Sequence, residues 1–543
     1  MPRQRIDAIG GVGYNVDANP AELPPPALQK MRNVICRDGM LWQAPGETSA
    51  IGPGTGILGG VDPLYHTTYR DAAGKWWAIW SDGTRVTAYL IDGSETVVTL
   101  ASGWVAGRVS FADLNGVLVV NSATEGPWYL PALDGGGLLQ PLETLPEWDL
   151  SWTCEIMTGY RYNLVAINMT EGVSHYTHKV RWSNSAQEGT LPTIWVAAPE
   201  NDAGADLIGE TAGIPYAAVG VRDSLWIIKD DSIYAMRWIG GQFVMQLSKL
   251  MDDVGTALPF AAVEMRGGAV IFTGQDVLLV DGQQAKSITN SRIRKTIEDN
   301  LSRSQAGWAK LCHYPPGNLI LLTIPQQAEA FTSQITLIWD YKADTWSSHD
   351  DAYVYGYGVG TVSVLSGQET WDGDTITWDG ESGRRWALGL YTFAGEDLIV
   401  FKRETLFGEP NKVNVCFKDG STTYANTRPV VSSAQRTGIP LEGADGIATV
   451  TEVWPEIKTG SCYLYFGGHD VIDSVPSIWD GPYLIESGGY FPVTPRVFGR
   501  YFAFRIEGTG YVARDSGGSE SYFPGDQFAL ASLTINWERD GEA

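Results

Sequence analysis

Two short stretches between residues 218 and 282 set the terms for the rest of the chain. Residues 221–238 read VRDSLWIIKDDSIYAMRW and residues 268–282 read GAVIFTGQDVLLVDG. In the first, Leu225, Ile227, Ile233 and Ala235 alternate with polar or aromatic neighbours on either side of Lys229-Asp230-Asp231. In the second, Val270 and Phe272 face Val277 and Leu279 across Thr273-Gly274-Gln275-Asp276. Both are β-hairpins: short apolar strand, tight polar turn, short apolar strand. The form recurs at 75–90 (KWWAIWSDGTRVTAYL), 116–130 (GVLVVNSATEGPWYL), 162–183 and 317–347. Starts near 75, 116, 162, 222, 268 and 317 match the roughly 40–50 residue repeat of propeller blades. The expected fold is therefore mainly β, with a β-propeller of about six blades over residues 61–350.

What flanks this run differs from it. Residues 1–60 hold Pro24, Pro25 and Pro26, a turn at Arg37-Asp38-Gly39 and a glycine-rich end, IGPGTGILGG. Three prolines hold the backbone extended and withhold amide donors, so this segment reads as an arm laid across another surface. One helix is expected over 290–303, where Ile293, Ile297 and Leu301 recur every fourth residue and Asn290 or Ser291 can cap. After residue 350 longer strands predominate, and 351–543 reads as a sandwich-like β-rich platform domain. Its long polar stretches at 431–446 and 508–526 are the expected loops facing a channel or partner.

Composition limits the function classes. Glycine supplies 63 of 543 residues, with 28 Pro, 21 Trp and 24 Tyr, which suits many short strands joined by tight turns. The net charge of −25 leaves no basic stripe to neutralise phosphates, so a tight sequence-reading DNA binder is excluded. Cys36, Cys154, Cys312, Cys416 and Cys462 lie dozens of residues apart without a CxxC pair. Neither a disulfide framework nor a zinc site is indicated, and a reducing compartment fits. The opening MPRQRIDAIGGVGYNVD lacks an apolar signal core, so synthesis and retention in the cytoplasm are expected.

No catalytic constellation emerges. Asp372, Asp374 and Asp379 in TWDGDTITWDG have the spacing of hard oxygen ligands but lack the glutamate and flanking helices of a calcium loop, and turn-forming Asp-Gly accounts for them better. His175 and His178 read as a solvated pair on a loop or strand. There is no nucleophile-elbow serine between strand and helix, no phosphate-binding loop and no dinucleotide fingerprint. The expectation is a protein without catalytic, metal or cofactor sites.

Three regions resemble the tail nozzle or tail-hub proteins of short-tailed bacteriophages. They are ELPPPALQKMRNVICRDGMLWQAPGE (22–47), the central run from KVRWSNSAQEG (179–189) through VRDSLWIIKDDSIYAMRW and DDVGTALPFAAVEMRGGAVIFTGQDVLLVDG (252–282) to ITNSRIRKTIEDN (288–300), and YLYFGGHD…WDGPYLI…RVFGRYFAFRIEG (463–508). The resemblance implies a structural virion protein forming a ring, typically a hexamer, at the distal end of a short tail. Such a protein lines the DNA channel and retains or releases the genome. Implied partners are copies of itself, clasped by the N-terminal arm, a tail adaptor or portal-proximal ring, tail fibres or spikes, and double-stranded DNA passing without sequence-specific binding. It would be assembled in the host cytoplasm and reside in the virion tail. The competing reading is a tail-associated host-recognition or glycan-binding or glycan-degrading protein.

Overall fold

The computed structural model describes residues 2–20, 22–49, 57–58, 62–71, 74–91, 97–132, 139–241, 244–326, 334–350, 354–360, 397–404, 412–419, 424–425, 428–442, 446–472, 474–489, 492–514, 520–523 and 525–542. It is a β-propeller joined to a β-sandwich. Each of the first five hairpins read from the sequence is the middle of a four-stranded antiparallel sheet, and the sixth, at 317–347, lies near one end of a ten-stranded one. In blade one, Trp76–Ser81 and Arg85–Leu90 are flanked by Tyr65–Arg70 and Val97–Ser102. Blade two opens with Val109–Leu114, blade three with Trp152–Tyr160, blade four with Pro215–Val221, blade five with Ala262–Met265 and blade six with Lys310–Tyr314. These opening strands lie side by side around one axis. Local chemistry sets the turns: Asp82 Oδ1 accepts from the amides of Thr84 (2.8 Å) and Arg85 (3.0 Å), an Asx-turn that reverses the chain between the central strands of blade one.

A seventh sheet fits between blade six and blade one. Its opening strand Val354–Gly360 lies beside both Lys310–Tyr314 and Tyr65–Arg70. Asp397–Glu404 and Lys412–Asp419 follow, and the fourth strand is Gly46–Ser49, from the other end of the chain. Sheets thus cross the expected boundaries at residues 60 and 350.

The strands of the arm pair within the same chain. Arg3–Ile6 pairs with Ala529–Glu542, Lys30–Arg32 with Ser433–Pro440, and Val34–Arg37 joins blade six at Ser348. The buried Arg436 guanidinium donates to the carbonyls of Pro20 and Leu23, both at 2.9 Å, and so anchors the proline segment. The physical reason is local: extended residues with unpaired edges are completed by the nearest sheet edges. One ten-stranded sheet runs from blade six through Val34–Arg37 and Met40–Gln43 into Ala529–Glu542, Gly446–Thr459 and Val497–Gly499. A five-stranded sheet packs on it over Ile6, Leu28, Val34, Leu41, Val453, Phe466, Phe504 and Leu533.

Three expectations are corrected here. Within 431–446, Ser433–Pro440 is a largely buried strand, not a loop. Within 508–526, Tyr511–Arg514 and Glu520–Phe523 pair as a hairpin. The helix is shorter than expected, Arg294–Asn300, and neither Asn290 nor Ser291 caps it. The Asp17 carboxylate does so from the arm, accepting from the amides of Arg294 and Lys295, both at 2.9 Å.

Candidate functional site

Seven opening strands around one axis bring together residues that are far apart in sequence. Tyr65 comes from blade one, Arg108 from just before the opening strand of blade two, Glu155 from blade three, Tyr216 from blade four, Phe260 from just before blade five, and Lys310 from blade six, preceded by Trp308. The Lys310 ammonium stands 5.5 Å from the centre of the Tyr65 ring and 5.6 Å from that of Phe260. Tyr65 and Trp308 are 5.6 Å apart, tilted by 59°. Arg108 lies 6.0 Å above the Tyr216 ring, and its Nη1 is 3.3 Å from Glu155 Oε2. Phe260 sits in the left-handed region at φ 57°, and its amide donates to the Tyr216 carbonyl at 3.0 Å. A bulky residue held there costs on the order of 1 kcal/mol or more, and here that conformation presents the ring to Lys310.

Lys229 and Lys418, which are more deeply buried than Lys310, are satisfied. Lys229 Nζ donates to the Thr211 carbonyl (2.8 Å), the Thr211 hydroxyl (2.8 Å) and the Ile208 carbonyl (3.1 Å). Lys418 meets Glu47 at 2.8 Å. Among the described residues, Lys310 Nζ faces rings and pairs with no carboxylate or carbonyl. Burial, and after it the Arg108 charge, lower its pKa to about 8. Burial also raises the Tyr65 pKa, with Arg108 opposing and Glu155 adding. Beside them, burial and then the Lys310 charge bring His66 down to about 3, against the carbonyl of Pro63 at 3.1 Å. His66 is therefore neutral near pH 7. Arg108 and Lys310 against Glu155 leave one positive charge in excess, among aromatic faces. Such a cluster can hold an anionic group, and near pH 8 part of Lys310 is a free amine able to take a proton.

None of these residues stood out in the sequence. A signal was there: Tyr65, Arg108, Glu155, Tyr216, Phe260 and Lys310 lie six to ten residues ahead of the hairpin starts at 75, 116, 162, 222, 268 and 317. The residues that the sequence did single out are elsewhere. His175 and His178 are on the strand Ser174–Trp182, where His175 Nε2 is 2.7 Å from Asn168 Oδ1. Asp372, Asp374 and Asp379 lie outside the described residues. Among the described residues no group of three or more His, Cys, Asp or Glu is placed to hold a metal ion.

No protein-family model matches the chain, and no curated protein sequence matches it. Among solved structures it is similar to a streptogramin B lyase, at 9% identity and TM-score 0.37 over 66% of this chain and 95% of that one. It is also similar to virginiamycin B lyase from Staphylococcus aureus, at 8% and 0.33 over 54% and 86%. A third is YCF48 bound to D1 peptide, at 12% and 0.31 over 61% and 86%. These likenesses extend to the propeller fold alone. The expectation that the chain is not an enzyme does not stand beside them: two of the three are lyases by name.

Proposed function

We propose that the chain is a structural virion protein of a short phage tail, forming a ring of six copies at its distal end. Double-stranded DNA would pass through the lumen between copies, held there before ejection and released during it. The observation that carries this reading is the order along the chain of three segments resembling tail nozzle and hub proteins. The net charge of −25 supports it, since an acidic wall offers a passing duplex no gain from counterion release. The interlaced lobes support it too, because strands shared between propeller and sandwich let them bear load as one block.

Mass photometry of the purified chain together with its adaptor ring tests this. The expected species is six times the 59.1 kDa chain mass; a chain that stays monomeric and joins no adaptor overturns the reading. A second reading, a tail-associated protein that recognises or degrades a host glycan, is favoured by the axial cluster, since aromatic faces beside a cation suit an acidic sugar.

A further inference from the structure

We infer that the axial cluster of Tyr65, Arg108, Glu155, Tyr216, Phe260, Trp308 and Lys310 is a binding site for a small organic carboxylate with one negative charge. The inference stands on the axial geometry, independently of the tail reading. First, Lys310 lacks the anion or carbonyl that Lys229 and Lys418 have, and a half-buried ammonium gains most from a charge-assisted partner. Second, the charge count is one. Arg108 is already engaged by Glu155, so a monoanion balances the site and a phosphate dianion overfills it. Third, Tyr65 and Phe260 turn ring faces to the ammonium and Trp308 packs against Tyr65, an aromatic surround that suits the planar or apolar body of the same ligand. Six blades contribute, so the site exists only when the ring of blades is closed.

The carboxylate could belong to a free planar acid or to a uronic acid of a glycan, and the test separates them. The full chain is titrated calorimetrically with benzoate and with glucuronate, using benzamide and glucose as neutral counterparts and inorganic phosphate as the dianion. At least one carboxylate binds and its neutral counterpart does not; benzoate alone points to a planar acid, glucuronate alone to a sugar acid. Lys310→Met weakens that binding by about tenfold or more. The groups facing Lys310 are Tyr65, His66, Arg108 and Glu155; burial holds Tyr65 above its usual range and His66 well below its own, so affinity of the unmodified protein falls as Lys310 loses its proton through about pH 8. That pH series decides the matter even if Lys310→Met does not fold. No binding of either carboxylate at millimolar concentration, tighter binding of phosphate, or an affinity indifferent to both Lys310→Met and pH overturns the inference. A monomer in mass photometry that still binds carboxylate would leave this site standing and remove the tail reading.

Discussion

Blades three and seven each set one carboxylate between two cations, from opposite extremes of sequence separation. In blade three, Glu171 meets Lys179 and Arg181 at 2.7 Å within one hairpin, eight and ten residues away. In blade seven, Glu47 meets Lys402 at 2.7 Å and Lys418 at 2.8 Å, across 355 and 371 residues. The Glu47 and Lys418 side chains are each 3% exposed, against 18% for Glu171. The local cluster decorates a hairpin that its own apolar strands and turn already specify. The distant cluster is buried where the end of the arm is laid against the last strands of the ring, so it reports on whether the ring has closed. One chemical motif is thus an accessory in one blade and a clasp in another, and the difference is burial.

Deleting residues 2–49 should have the largest effect. It removes the fourth strand of blade seven and four strands of the sandwich and its junction, and the expected product is insoluble or digested to fragments in limited proteolysis. Glu47→Ala, which leaves two ammonium groups buried, should cost about 3–5 kcal/mol in denaturant unfolding. Asp17→Ala uncaps the Arg294–Asn300 helix across the arm and should cost about 1 kcal/mol. Glu171→Gln should cost less than about 1 kcal/mol; a loss equal to that of Glu47→Ala would erase the contrast between the two blades.

The last effect is one of sign, at the axis that both blades share. Lys310 has a folded pKa of about 8, below the roughly 10.4 of an unfolded lysine. The unfolded chain therefore binds more protons between those values, and the Lys310 contribution to stability rises with pH across that window. Lys310→Met should be more stable than the parent at pH 7, with the gap narrowing from pH 8 to about 10. Thermal unfolding at several pH values checks this, and a gap that widens contradicts it.

The legible strands were the central ones. Trp76–Ser81, Val117–Ser122, Ser224–Lys229 and Gly268–Phe272 are buried on both faces almost throughout, so they read as apolar runs beside tight turns. The opening strands that line the axis are half-buried and mixed, as in His66, Thr67 and Thr68 or Glu264 and His313, and carry no such pattern. Val354–Gly360, YVYGYGVG with its preceding tyrosine, is mostly buried, yet reads as part of the platform because its Gly-Tyr texture departs from the apolar runs before it. The His175 and His178 neighbourhood reads as a loop or a strand, because its polar residues suit either; pairing of Ser174–Trp182 with Asn163–Glu171 makes it a strand.

The hairpins at 221–238 and 268–282 began as two look-alike units, and by themselves they determined a repeated antiparallel β fold, because side-chain alternation and turn chemistry act within about ten residues. Only the tertiary structure decided how the ring closes and what stands at its axis. Both depend on contacts between residues 355 or more apart, or on seven strands arranged around one line. No local pattern encodes such meetings: the closing strand Gly46–Ser49 is too short to announce itself, and Lys310 is one ordinary lysine until the other blades surround it.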